Sequence, residues 1–219
     1  MQANPRKTTS LRHLGKVDIA QLREAVLAIP EAIWDAENHN KPNQRYESAG
    51  AVGAPVTGRV WNKTRHIIFR FITNQRDWRE SADWPLWQEW RERLRPVMEQ
   101  ATRPYGYVRA VYPRVMLARL ASGGEILPHM DNNPAAQWPH KIHVPLLTNE
   151  QVTFFVDGVG YHFEEGEAAE VSNMAVHAVE NNGSSDRIHL IFEYYDLDQP
   201  EPEWLAAVIN AARARTAIG

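Results

Sequence analysis

From Val108 onward the chain is built of short runs rich in branched and aromatic residues, each broken by a turn, and few architectures accept that pattern. The runs are 114–120, 126–131, 141–147, 152–156, 161–164, 168–171 and 187–195. The breaks carry turn chemistry: Ser122-Gly123-Gly124, Asp157-Gly158 and Asn182-Gly183-Ser184-Ser185. Many short strands at regular spacing predict a sandwich or barrel of the jelly-roll type, in a mainly β chain with flanking helices.

The flanks are read more coarsely. About ten polar residues at the start read as a loose tail. Leu22, Val26 and Leu27 recur at helical spacing over 20–29, with Asp18 as cap and Pro30 as stop. Residues 35–64, poor in apolar side chains, read as a long loop and a possible lid. A strand is expected over 65–71. A helix is expected over 85–101, where Trp87, Trp90, Leu94, Val97 and Met98 form one core-facing stripe and Pro96 should kink or split it. Residues 203–214 read as helical. The expected organisation is a single domain: 1–107 as N-terminal support and lid, 108–196 as jelly-roll core, 197–219 as a C-terminal helix.

Composition removes several classes of function. A chain of 219 residues is long enough to bury a core without staples. The absence of cysteine excludes disulfides, zinc–thiolate sites and thiol nucleophiles, and it fits a cytoplasmic setting. A formal charge of −3 gives no reason to expect nucleic acid. No window approaches a membrane span.

Within the strand pattern, His129-Met130-Asp131 stands out. Residues two apart on an extended strand leave the same face, so an imidazole and a carboxylate converge. A second histidine from a distant strand would complete two histidines and one carboxylate, the ligand set of non-haem Fe(II) oxygenases. Nine His and nine Asp in this length give roughly 0.4 such matches by chance, so the context has to carry the reading. That context is His177, and then Arg187 on an otherwise apolar strand. There Arg187, His189 and Ile191 share one face, and Ile188, Leu190 and Phe192 the other. A buried guanidinium needs an anion. The alternative is a structural acid, Glu193 or Asp186.

These residues resemble the motif of the Fe(II)/2-oxoglutarate-dependent dioxygenases. The segments Lys141-Ile142-His143-Val144-Pro145-Leu146, Glu165-Gly166-Glu167 and Val176-His177-Ala178-Val179-Glu180-Asn181-Asn182 before Asp186-Arg187 are similar to those of the aspartyl/asparaginyl β-hydroxylase-like branch. The resemblance covers roughly 114–195 and implies a double-stranded β-helix, a jelly-roll or cupin-like barrel. It implies Fe(II) on His129, Asp131 and His177, with 2-oxoglutarate and dioxygen as cosubstrates. Arg187 would hold the distal carboxylate of 2-oxoglutarate, and His143 would also contact it. The animal enzymes of the branch lack the metal-binding carboxylate, so Asp131 makes this chain similar to the bacterial members. A carboxylate there also argues against a halogenase.

For the substrate side the sequence offers Arg119 and Lys141 as receivers of a carboxylate, with Asn133 and Trp138 as pocket walls beside the motif. His143 has an alternative reading, as a residue that simply lines the barrel. The expected activity is hydroxylation of an unactivated C–H bond of a free amino acid or small amino-acid derivative, with release of succinate and CO2. The alternatives are the same chemistry on an Asp, Asn or other residue of a peptide, and a non-redox cupin-like metal binder.

Overall fold

The computed structural model describes residues 9–35, 63–73, 77–131 and 133–200, together with 203, 206, 207 and 210. The expected lid falls almost wholly outside the described residues, as does most of the expected C-terminal helix. In chain order the elements are β1 (Leu11–Lys16), α1 (Ala20–Leu27), α2 (Glu31–Trp34), β2 (Thr64–Ile72), β3 (Ser81–Asp83), α3 (Trp87–Thr102), a 3-10 turn (Arg103–Tyr105), β4 (Ala110–Val111), β5 (Val115–Leu120), β6 (Glu125–His129), α4 (Pro134–Gln137), β7 (His140–Leu147), β8 (Val152–Val156), β9 (Val159–Tyr161), β10 (Glu167–Val171), β11 (His177–Asn181) and β12 (Arg187–Asp196).

Two sheets form. The larger runs β1-β10-β7-β12-β5-β2-β3, with β4 paired to β12, and the smaller runs β6-β11-β8-β9. Every pairing is antiparallel. The sheets face each other across a core of Leu120, Ala169 and Val171 from the larger and Ile126, Val152, Phe154, Val156 and Val179 from the smaller. This is the jelly-roll layout that the strand pattern predicts. Among the described residues no ladder joins the two sheets, so the barrel is not closed by hydrogen bonds.

Strand alternation gives the larger sheet two different faces. Its outer face presents Ile67, Phe69, Val115, Leu117, Ile142, Val144, Leu146, Ile188, Leu190 and Phe192 to the helices. Against them α3 lays Trp87, Trp90, Leu94, Val97, Met98 and Ala101, all buried. Truncating one of these, such as Leu94→Ala, costs on the order of 2–5 kcal/mol. The stripe also explains Pro96. It removes one helical hydrogen bond, yet α3 continues through it unsplit. A penalty of about 3 kcal/mol is smaller than the burial on that face.

The N-terminal residues do more than support the core. β1, β2 and β3 are strands of the larger sheet itself. The expected tail of about ten residues lies almost wholly outside the described residues; directly after it Leu11–Lys16 pairs with β10, and the chain then crosses to α1 through a Val17 N–H to Gly166 carbonyl bond of 2.9 Å. Gly166 has φ +76°, and a Cβ there would lie 2.8 Å from the Val17 oxygen, so both backbone shape and space require glycine. Asp18, expected as the cap, stands one residue before it: the N-cap of α1 is Ile19, without a side-chain cap bond, and Asp18 Oδ1 accepts from Ala20 N–H at 3.0 Å.

Candidate metal centre

β6 ends at His129 and β11 begins at His177, and the antiparallel register sets these two residues opposite each other. Their ring centroids are 4.3 Å apart. Asp131 lies beyond the end of β6, so strand alternation alone does not aim it. Its backbone N–H donates to the carbonyl of Asn173 at 2.9 Å, which brings the turn after β6 against the turn before β11. The Asp131 carboxylate then reaches both rings, with His129 Nε2 at 3.9 Å from Oδ1 and His177 Nε2 at 3.8 Å from Oδ2. One donor atom from each residue falls within 4.8 Å of the others, the one such group among the described residues.

The donor chemistry suits a divalent transition metal. Nδ1 of His129 lies 2.8 Å from the Leu127 carbonyl, and Nδ1 of His177 lies 3.0 Å from the Ala175 carbonyl. A carbonyl only accepts, so Nδ1 carries the proton and Nε2 keeps its lone pair toward Asp131. Burial lowers the pKa of both rings, that of His177 to about 4, which keeps them neutral as ligands must be. At Asp131 burial pushes the carboxyl up, but the Lys141 ammonium and both histidines outweigh it and hold it well below the usual range. Two neutral nitrogens and one carboxylate oxygen form a set typical of non-haem iron.

Beside this group the inner face of the larger sheet carries Arg187, buried at 1% exposure. Its Nη2 donates to His189 Nδ1 at 2.7 Å, its Nε has no hydrogen-bond partner, and its guanidinium lies 5.9 Å from the Phe154 ring centroid. Burial pushes its pKa down to about 9, so it stays charged at neutral pH. The two structural acids that offered another explanation are engaged elsewhere. Glu193 pairs with Arg114, and Asp186 accepts from Ser122 N–H at 3.1 Å and lies 3.5 Å from Arg119. No carboxylate among the described residues pairs with Arg187. His143 shares this face, is buried with neither ring nitrogen bonded, and packs edge-on to Phe154 at 5.2 Å and to His189 at 5.9 Å. Burial, then Lys141 and Arg187, drive its pKa well down, so it is a neutral ring.

The residues expected on the substrate side fare differently. Lys141 does face the centre, where its Nζ bonds Asp131 directly, so its charge is committed to the carboxylate ligand. Arg119 does not face the centre. It pairs in register with Ile188, while its neighbour Ala118 pairs with His189, so Arg119 points to the helical face. There it bonds Glu31 of α2, with its guanidinium 4.9 Å from the Trp34 ring centroid. Asn133 caps α4, its Oδ1 accepting from Ala136 N–H at 3.0 Å and from Arg114 Nη2 at 3.4 Å. Trp138 is buried in a cluster with Ile72, Trp78, Ala135 and Tyr195 rather than forming an open wall. Two residues of the centre carry no sequence signal strong enough to single them out. His189 is visible only as a face-mate of Arg187, and Asn173 acts through long-range bonds of its backbone carbonyl and its side-chain amide.

Comparisons with known proteins bear on the fold and the family. A search of curated proteins by sequence found no match. Among solved structures, an oxidoreductase of the 2OG-Fe(II) oxygenase family from Burkholderia pseudomallei is similar, at 14% identity over 80% of this chain and 76% of that one, with a TM-score of 0.54. A viral collagen prolyl hydroxylase from Paramecium Bursaria Chlorella virus-1, solved with 2OG, is similar at 9% identity over 87% and 98% of the two chains, with a TM-score of 0.52. AviO1 from Streptomyces viridochromogenes gives 16% identity, 88% and 92% coverage and a TM-score of 0.54. At such identities these likenesses concern the fold. The sequence profile described as aspartyl/asparaginyl beta-hydroxylase matches residues 70–196, more than half the chain and the span that holds both sheets' site residues. By that match the chain belongs to the aspartyl/asparaginyl β-hydroxylase family.

Proposed function

We propose that this protein is an Fe(II)- and 2-oxoglutarate-dependent hydroxylase of a free amino acid or small amino-acid derivative. One observation carries the chemistry: a buried arginine of the larger sheet, without a carboxylate partner among the described residues, packs on Phe154, whose ring also stacks on His177 of a two-histidine, one-carboxylate group in the smaller sheet. His129, Asp131 and His177 would hold the iron. When bound, Fe(II) with 2-oxoglutarate and dioxygen supplies the oxidising power to hydroxylate an unactivated C–H bond, releasing succinate and CO2.

The protein's own share is positioning and electrostatics. The Leu127 and Ala175 carbonyls hold the two imidazoles in the tautomer that presents Nε2. Lys141 keeps Asp131 ionised and limits the directions its oxygens can take. Arg187 offers a planar fork to the distal carboxylate of the cosubstrate, and desolvation around Phe154 strengthens that attraction. His189 accepts from one edge of the guanidinium and so fixes the fork's orientation. His143, a neutral ring with both nitrogens unbonded, supplies a further contact on the same wall. The apolar inter-sheet core behind these groups excludes water.

The test is a screen of purified protein with Fe(II), 2-oxoglutarate and ascorbate against free amino acids and short peptides. It is read as succinate formed and as a mass gain of one oxygen. Substrate-dependent succinate with a free amino acid is the expected result. Turnover with peptides alone would move the substrate to a residue within a polypeptide. No succinate under any condition would favour a non-redox metal binder.

A further inference from the structure

Two of the three metal-facing groups are oriented by one short turn. Residues 172–176 connect β10 to β11, and the Ala175 carbonyl of this turn fixes the His177 ring. The Asn173 carbonyl of the same turn receives the Asp131 N–H at 2.9 Å. The turn is itself closed by Ala175 N–H to Ser172 carbonyl at 3.1 Å and by Met174 N–H to Ser172 Oγ at 3.3 Å. The Asn173 side chain ties it to the other ligand's segment. It is fully buried, and its Nδ2 donates to the Ala136 carbonyl in α4, five residues beyond Asp131. The segment that follows Asp131 is therefore gripped twice by one residue, at Asp131 through Asn173's backbone and at Ala136 through its amide.

A space-filling role does not account for this arrangement. The Asn173 Oδ1 is buried without a hydrogen-bond partner, and leaving such an acceptor unmet costs on the order of 1–3 kcal/mol. An apolar residue would fill the same space without that cost. The Nδ2 bond links two loops from different places in the chain, and those loops carry the carboxylate and one histidine.

We propose that Asn173 is a positioning residue that sets the Asp131 carboxylate against His177 and thereby governs metal affinity. The proposal rests on the reading of His129, Asp131 and His177 as metal ligands. Without the Nδ2 bond, α4 is released from the turn, and the Asp131 segment keeps only its backbone tether. The remaining ligands are then held less tightly to a common point. Residues of this kind typically shift metal affinity about 10- to 100-fold. The Michaelis constant for 2-oxoglutarate should change little, because Arg187 lies on the other sheet, where it is held by His189 and Phe154.

The test titrates Co(II) into metal-free wild type, Asn173→Ala and Asn173→Asp, following visible absorption, with thermal melting of the metal-free proteins alongside. Asn173→Asp keeps the shape but turns the donor into an acceptor facing a carbonyl, so it carries the test if the alanine variant does not fold. The expected result is a Co(II) dissociation constant raised about 10- to 100-fold in the variants. The KM for 2-oxoglutarate at saturating Fe(II) should stay within about twofold of wild type. Unchanged Co(II) affinity together with a lower melting temperature would reduce Asn173 to a structural role and leave the metal reading standing. Absence of Co(II) binding by wild type would overturn both.

Discussion

Arg187 and His189, two residues apart on β12, are bonded to each other on the inner face of the larger sheet, Nη2 to Nδ1 at 2.7 Å. The contact commits one donor of the guanidinium and leaves Nε without a partner, so the fork is both oriented and incomplete. Burial drives the His189 pKa well down, which keeps it an acceptor for this bond rather than a competing cation.

Arg187→Ala should therefore damage cosubstrate binding more than metal binding. Removing one partner of a buried charge pair costs about 2–5 kcal/mol, which corresponds to a KM for 2-oxoglutarate raised roughly 30-fold or more. Co(II) affinity measured without 2-oxoglutarate should stay within a few-fold of wild type. Equal losses in both would show that Arg187 acts through folding instead.

Asp131→Ala removes the only anionic donor of the group and leaves Lys141 without its partner. Succinate formation should fall below detection, and Co(II) binding should weaken by at least two orders of magnitude, as expected for loss of a metal-binding carboxylate and not of a supporting residue. Full hydroxylation by this variant would remove Asp131 from the ligand set.

Arg119→Ala is the contrasting case. Its bonds to Glu31 and its packing on Trp34 tie α2 to the outer face of the sheet. Stability should drop by about 1–2 kcal/mol, seen as a melting temperature lowered by a few degrees. The KM for 2-oxoglutarate and the turnover number should stay within about twofold. A large rise in either would return Arg119 to the site.

The metal-free protein should lose stability on mild acidification. Burial lowers the pKa of His66 and His177 from the usual 6.5 to about 4, and those of His143 and His189 well below it. The unfolded chain takes up protons at these rings near pH 6.5, while in the folded chain His66 and His177 do so only near pH 4 and His143 and His189 only well below 6.5. The unfolded state thus binds more protons in that window, and stability falls as pH falls through it. A tenfold difference in proton affinity between the two states corresponds to about 1.4 kcal/mol, so several degrees of melting temperature should be lost between pH 6.5 and 4.5. A flat melting profile across that range would contradict the depressed values.

The jelly-roll architecture and most of its strands were legible because β-type runs and turn residues agree with each other along 114–195. The His129, Asp131, His177 and Arg187 set was legible because residue type and order match a known motif. Its geometry was less so. Asp131 lies past the end of β6 and owes its direction to Asn173, a long-range hydrogen bond that no local pattern encodes. Leu11–Lys16 reads as polar because it is an edge strand in which only Leu14 is buried. Its pairing with β10 comes from backbone hydrogen bonds, which composition does not reveal. Pro96 is a local signal overridden by tertiary packing. Arg119 carries a basic charge near the motif, but the alternation along β5 that pairs it with Ile188 turns it to the helical face.

The two-faced construction of β12 makes a single strand into a ruler for separating kinds of damage. Arg187, His189 and Ile191 line the interior between the sheets, while Ile188, Leu190 and Phe192 bed into the helical layer. A saturation mutagenesis scan along this strand should give two interleaved traces. Positions 187, 189 and 191 should register in catalytic output at near-normal abundance, and positions 188, 190 and 192 should register as lost soluble protein. A phase flip anywhere along the trace would mark the point where the strand changes its register.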